Sequence, residues 1–267
     1  RYPRTIQVPS AWETLPGLET YRGRAWFRTF IEGEPGLAVR LVFGGVSHTG
    51  TVYVDGRRVG HHYDAFTPWD VIVPKLSAGK HELVLEVDNS FGAHSALHKE
   101  NDYYTYGGIT RPVELQWVPE VYIQRVWALP VRRGRRWDLQ GRVWLRNCGR
   151  RAHGRRVAVG VADTLLDLPD VTVRPGGVSE VRGVLKNLDV KTWSEFEPTL
   201  YGLRVVLLDG ERATDDLFDR VGFREVTVRG RELLLNGKPL RLRGYNRHED
   251  HGLFGNSLPL EAMAADL

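Results

Sequence analysis

Apolar and polar positions alternate with a period of two along most of the chain, and no long segment has the three-to-four spacing of an amphipathic helix until its end. Such alternation sends one face of an extended strand into a core and the other into water. Residues 25–31 (AWFRTFI), 38–43, 51–55 and 82–87 carry it with β-branched and aromatic enrichment, and Asp55-Gly56 and Ala78-Gly79-Lys80 mark tight turns. These runs predict an antiparallel β-sandwich over the first 118 residues or so. Ahead of them, residues 6–12 (IQVPSAW) read as a short extended piece broken by Pro9.

A second series of strands is expected at 121–129, 138–145, 156–161, 178–185, 201–208 and 217–220, with turn signals recurring regularly between them. About a hundred residues patterned in this way suit a seven-stranded immunoglobulin-like sandwich, here without the cysteine pair of antibody domains. The pattern then changes. Leu233, Leu234 and Leu235 run into Asn236-Gly237, the dipeptide best suited to a two-residue hairpin because both central residues need positive φ. Leu240 and Leu242 alternate with Arg241 and Arg243, which predicts a strand continuing to Gly244, with an apolar face of Leu233, Leu235, Leu240 and Leu242. Tyr245-Asn246-Arg247-His248-Glu249-Asp250-His251 then falls at a strand's carboxyl end, the usual place for chemistry in an α/β barrel. Ser257 as a cap, Pro259 and residues 261–265 (EAMAA) predict the start of a helix. The fold class is therefore mostly β, with domains at 1–118, 119–221 and 222–267.

Composition narrows the function more than the fold. A chain of 267 residues with 42% hydrophobic and 26% charged positions buries a real core. The net charge of +4 comes largely from arginine pairs such as Arg132-Arg133 and Arg155-Arg156, which sit between alternating runs as solvated hairpin ends. No RNA-binding or helix-turn-helix signature accompanies them, so nucleic acid is not an expected partner. Cys148 stands alone, which excludes an intrachain disulfide and a multi-cysteine metal site. With no apolar run of membrane-spanning length, signal peptide or lipidation motif, a membrane partner is not expected either. The compartment is left open, with the cytoplasm slightly favoured, and the start at Arg1-Tyr2-Pro3 reads as an incomplete N-terminus.

Candidate chemistry concentrates in residues 89–108, NSFGAHSALHKENDYYTYGG, a stretch with His94, His98, Glu100, Asp102 and the aromatics Tyr103, Tyr104 and Tyr106. Loops this long within a domain are usually functional, and the aromatics favour ligand binding. His94 and His98 would share one face of a helix as metal ligands, but Gly92 and the missing helical period favour a loop. His61-His62 and the pair Glu195 and Glu197 are weaker candidates, the glutamates lying in a Trp- and Pro-bounded loop with no orienting partner.

Several motifs occur in order: VPSAW at Val8, FGGVSHTGTVYVDGRRVGHHYDAFTPW at 43–69, DYYTYGGITRPV at 102–113, PTLYGLRV, and GFREVTVRGRELLLNGKPLRLRGYNRHEDH. Together they resemble glycoside hydrolase family two, the group of β-galactosidases and β-glucuronidases, over essentially the whole chain. The resemblance implies a jelly-roll-like sugar-binding β-sandwich, an immunoglobulin-like β-sandwich, and the truncated start of a (β/α)8 barrel, in that order. It also implies hydrolysis with retention by two glutamates about 5–5.5 Å apart. In the family both glutamates lie on later barrel strands, and no segment here matches them. No catalytic residue is therefore assigned, and the chain by itself is expected to be inactive.

Within the resemblance, Asp102 matches an aspartate that contacts substrate hydroxyls or helps organise a cation at the sugar site, and no other cofactor is implied. His248 matches a histidine lining the same pocket. Asn246, Glu249 and Asp250 flank it as further substrate-binding candidates. Asn246 is galactosidase-like and Glu249-Asp250 glucuronidase-like, which leaves the glycone open. Plainer readings stand beside these: a turn-forming Asp102, a His248 held in a barrel-end hydrogen-bond network, and structural roles for the flanking residues. The expected partner is a carbohydrate substrate, and the full-length protein is expected to be a homo-oligomer. A stand-alone carbohydrate-binding β-sandwich without hydrolase activity is the rival, against which the leucine-rich hairpin speaks, and a purely structural module is the third reading.

Overall fold

In the computed structural model, residues 4–93, 95, 97, 99–100 and 104–266 are described. They gather into two compact units, one of Arg1–Trp117 with Asn246–Leu267 and the other of Val118–Tyr245. The strands of the first unit are β1 (Ser10–Ala11), β2 (Arg24–Gly33), β3 (Ala38–Phe43), β4 (Val46–Ser47), β5 (Thr49–Val54), β6 (Arg57–His62), β7 (Trp69–Val73), β8 (Gly79–Asp88), β9 (Gly108–Ile109) and β10 (Val113–Val118). A four-stranded sheet in the order β2-β8-β5-β6 faces a three-stranded one in the order β10-β3-β7, and β1-β9-β4 make a small third sheet. Val52, Val54, Leu83, Leu85 and Val87 from the larger sheet meet Val39, Leu41, Phe43, Val71 and Val73 from the other. These are alternate residues of each strand, so the period of two in the sequence becomes a sandwich core. Burying each such side chain is worth roughly 1.5–3 kcal/mol.

At the β5–β6 hairpin, Asp55 (φ 49°) and Gly56 (φ 74°) both adopt the left-handed region that a two-residue turn requires. Strand β6, RRVGHH, was not expected from its pattern. It lies on the sheet's edge, where charged side chains are tolerated and block further pairing.

The second unit contains β11 (Val121–Arg133), β12 (Arg136–Asn147), β13 (His153–Val161), β14 (Thr164–Asp167), β15 (Val171–Val173), β16 (Val178–Leu188), β17 (Tyr201–Asp209) and β18 (Arg212–Val221). One sheet is β11-β12-β16 and the other β14-β13-β17-β18, with β15 also on β13. This division of consecutive strands between sheets is that of an immunoglobulin-like sandwich. Trp137, 1% exposed, sits in its core edge-on to Phe223, with ring centroids 6.0 Å apart. Asn147 is fully buried, yet its amide donates to Val173 O and Arg151 O and its Oδ1 accepts from Gly149 N, so the polar group is satisfied.

Three short strands follow in the same unit: β19 (Val226–Arg229), β20 (Glu232–Leu235) and β21 (Lys238–Pro239). Leu235 pairs with Lys238 across Asn236 (φ 53°) and Gly237 (φ 81°), which is the expected two-residue hairpin. Asn236 also donates from Nδ2 to Trp193 O at 2.9 Å and accepts from Glu225 N at 3.0 Å.

The expected strand over 240–243 does not form. Leu240 N still donates to Leu233 O at 2.8 Å, but residues 240–250 belong to no strand and Leu242 is 73% exposed. A parallel barrel strand takes its hydrogen bonds from neighbours on either side, and no described strand lies beside this segment. The expected apolar face is corrected too, since the buried leucines are Leu234 and Leu235. The helix α1 (Leu260–Asp266) does form, beginning with bonds from Ala262 N and Met263 N to Pro259 O. Ser257 does not cap it, because its buried Oγ has no hydrogen-bond partner among the described residues.

Candidate carbohydrate pocket

The first unit contains a pocket of about 240 Å³ where the loop before β9 meets residues 247–256. Tyr104, Thr105 and Tyr106 line it from the loop, Thr110 and Arg111 from the chain just beyond β9, and Arg247, His248, Glu249, Asp250 and Asn256 from the C-terminal segment. The two sides are tied together. Tyr106 donates its hydroxyl to Asp250 Oδ1, and Arg111 Nη1 donates to the backbone oxygen of Asn256. Gly255 (φ 57°) packs so closely that a Cβ there would come within 2.9 Å of the Tyr106 ring and 3.0 Å of Ala11 Cβ. The segment 246–256 thus lies directly against the sandwich wall although it forms no strand.

Charge within the pocket is largely compensated. Arg247 donates to Glu249 Oε1 at 3.1 Å and to Asp266 Oδ2 at 2.6 Å, and these partners, Asp266 first, hold its guanidinium above the ordinary arginine range. Burial, followed by the bond to Asp250, pushes the Tyr106 phenol well above its usual range, so it remains a neutral donor. Thr105 Oγ1, Glu249 Oε2 and Asn256 Oδ1 are buried oxygens with no hydrogen-bond partner among the described residues. A buried polar atom without a partner costs about 1–3 kcal/mol. Tyr104 and Tyr106, with ring centroids 4.7 Å apart, add aromatic surface to the lining.

Of the candidates taken from sequence, His248, Glu249 and Asp250 come together in the lining, whereas Asn246 is exposed and outside it. Asp102 lies outside the described residues, as do His94, His98 and Tyr103. No group of three or more His, Cys, Asp or Glu that would hold a metal occurs among the described residues. His61 bonds Thr51 while His62 stacks on Trp69 at 5.0 Å, so the adjacent histidines serve different neighbours. Glu197 pairs with Lys191 in the loop before β17. Sequence reasoning did not single out Thr105, Arg111 or Asn256 as pocket residues, nor Glu13 behind the wall. Thr105 and Arg111 carried a signal, through their place in the motif at 102–113.

Residues 2–119 match the sequence profile of the glycosyl hydrolases family 2 sugar binding domain, and residues 226–267 match that family's TIM barrel domain. The chain belongs to glycosyl hydrolase family 2. It is 27% identical over 280 residues to a β-galactosidase of Thermoanaerobacter pseudethanolicus, covering 98% of this chain and 37% of that protein. A β-glucuronidase of Streptococcus agalactiae is 26% identical over 275 residues, covering 92% and 43%. A family 2 β-galacturonidase from Eisenbergiella tayi, solved with galacturonate bound, superimposes with a TM-score of 0.90 at 38% identity, covering 98% of this chain and 46% of that one. The chain therefore spans about two fifths of the length of these relatives.

Proposed function

We propose that this chain forms the non-catalytic wall of the glycone pocket in a retaining β-glycosidase that removes terminal β-galactosyl or β-uronosyl residues. The observation that carries the reading is the convergence of His248, Glu249 and Asp250 with the Tyr104–Tyr106 loop in the lining of one pocket. In this reading polar side chains of the lining bond a sugar's hydroxyls, the tyrosine rings cover its C–H face, and the family resemblance assigns Asp102 a substrate contact. The β-galacturonidase likeness adds β-galacturonides to the glycones weighed. Retaining hydrolysis needs a nucleophile and an acid/base carboxyl about 5–5.5 Å apart, and on this reading they come from barrel strands other than the stretch at 226–267. The chain alone binds glycone without hydrolysing it, needs no cofactor for this, and works within a homo-oligomer.

The test is an assay of the protein carrying this chain on 4-nitrophenyl β-galactoside, β-glucuronide and β-galacturonide. Hydrolysis of at least one, weakened about tenfold or more by His248→Ala or Asp102→Ala, supports the reading; transition-state contacts of this kind are worth over 1.4 kcal/mol. Inactivity on all three glycosides, with sugar binding retained, favours a stand-alone carbohydrate-binding sandwich.

A further inference from the structure

We propose that Glu13 is a positioning residue for the pocket, clamping the backbone at Gly107 so that Tyr106, and through it Asp250, is held in the pocket wall. That the pocket takes a sugar is the reading given above; the clamp itself stands on separate contacts. Glu13 follows β1 and is only 7% exposed. Gly107 N donates to both of its carboxylate oxygens, at 2.9 and 3.0 Å, and Asn89 Nδ2 donates to Oε1 at 3.0 Å. Trp12 N donates to Gly107 O at 3.0 Å, so both polar groups of this glycine are held by adjacent residues. A Cβ on Gly107 would lie 2.2 Å from the Trp12 ring and 2.5 Å from Asn89 Nδ2, which leaves the segment no slack toward the core.

Two more contacts brace the same loop. Arg22 Nη1 donates to Thr105 O, and Tyr104 donates its hydroxyl to Glu19 O at 2.9 Å. Residues 12–22 therefore fix the loop at 104, 105 and 107, leaving the Tyr106 side chain as the element that projects to Asp250.

A carboxylate in this position makes the clamp responsive to protons. Burial raises the Glu13 carboxyl to about 7, against the opposing bonds from Gly107 N and the charge of Arg22. The other titratable groups facing it are Tyr104 and Tyr106, both pushed upward by burial and so neutral. Because the buried, clamped carboxyl has a higher value than a solvated one, protonation favours the clamped arrangement and deprotonation loosens the hold on Gly107.

The experiment is an NMR titration of the 267-residue chain from pH 5 to 8.5, following the Gly107 amide and the Tyr106 ring, with D-galacturonate and D-galactose as probes. The expected result is one shared step near pH 7 in both signals, absent in Glu13→Gln, which keeps an acceptor for Gly107 N. Probe binding is expected to weaken by about threefold to tenfold as pH rises across the step, the equivalent of one hydrogen bond, and to lose that pH dependence in Glu13→Gln. A Gly107 step with a static Tyr106 ring overturns the proposal, as does a step that survives in Glu13→Gln. The wild-type signals suffice for the first outcome if the variant does not fold. Shared titration without binding of either sugar leaves the clamp standing and counts against the carbohydrate reading.

Discussion

Tyr106 and Asp250, 144 residues apart in sequence, are joined by a hydrogen bond from the phenolic hydroxyl to the carboxylate. It is one of the contacts that turn the unpaired segment after the hairpin into a pocket wall. A bond to a charged acceptor is worth about 1.5–3 kcal/mol when shielded, and partial exposure here lowers that to roughly 1–2 kcal/mol. Tyr106→Phe and Asp250→Asn are each expected to destabilise by that amount in urea titrations. The double variant should cost little more than either alone, and purely additive losses would sink the direct coupling.

Glu13 sets one arm of the pH dependence of stability. Its folded value, about 7, is raised above the model-compound 4.5, so its contribution is full below pH 4.5 and is lost as pH rises through 7. The wild type should therefore lose stability relative to Glu13→Gln across that window, by up to about 3 kcal/mol at roughly 1.4 kcal/mol per pH unit. Urea midpoints of both proteins at several pH values check this, and parallel curves would contradict it.

His48 supplies the opposite arm. It is fully buried, with Nδ1 3.0 Å from Ser95 Oγ, and burial lowers its value from 6.5 to about 4, helped by Arg22. Its contribution is present above pH 6.5 and lost as pH falls through 4, on the order of 3 kcal/mol in all. The Hε1 resonance of His48 should stay flat from pH 8 to 5.5; an ordinary midpoint near 6.5 would be incompatible with the buried neutral ring. Between pH 4.5 and 6.5 the two slopes oppose each other, so the net curve is flatter than either.

Asn236 combines a left-handed backbone with two tertiary hydrogen bonds. Asn236→Ala adds a strained φ to the loss of both bonds and is expected to cost about 2–3 kcal/mol, whereas Asn236→Gly, which relieves the strain, should cost about 1 kcal/mol less. Melting temperatures of the pair separate the two contributions, and equal losses would mean that the backbone term is negligible.

Legibility in the sequence followed how local each cause is. Strand β3 was read to the residue, because alternating apolar side chains report burial directly, and the Asn236-Gly237 hairpin was read from the dihedral demands of two residues. The charged beginning of β18, Arg212 to Asp216, and the polar edge strand β6 were passed over because backbone pairing with a neighbour, not side-chain burial, makes them strands. The strand expected at 240–243 failed for the converse reason, having the pattern but no partner. His248, Glu249 and Asp250 drew attention as titratable groups beyond a strand signal. The contact of Glu13 with Gly107 spans 94 residues and had no local mark.

The first compact unit is discontinuous, with the whole of Val118–Tyr245 lying in sequence between its two parts. During synthesis, the loop at 104–107 and its braces from residues 12–22 leave the ribosome well before Asp250 and Gly255. The pocket is thus assembled in two instalments, with an immunoglobulin-like sandwich able to fold in the interval, and its wall closes only when a late segment returns to an early one. Any expression boundary drawn after Trp117 would yield a sandwich whose Tyr106 hydroxyl and Ala11 surface have lost their cover.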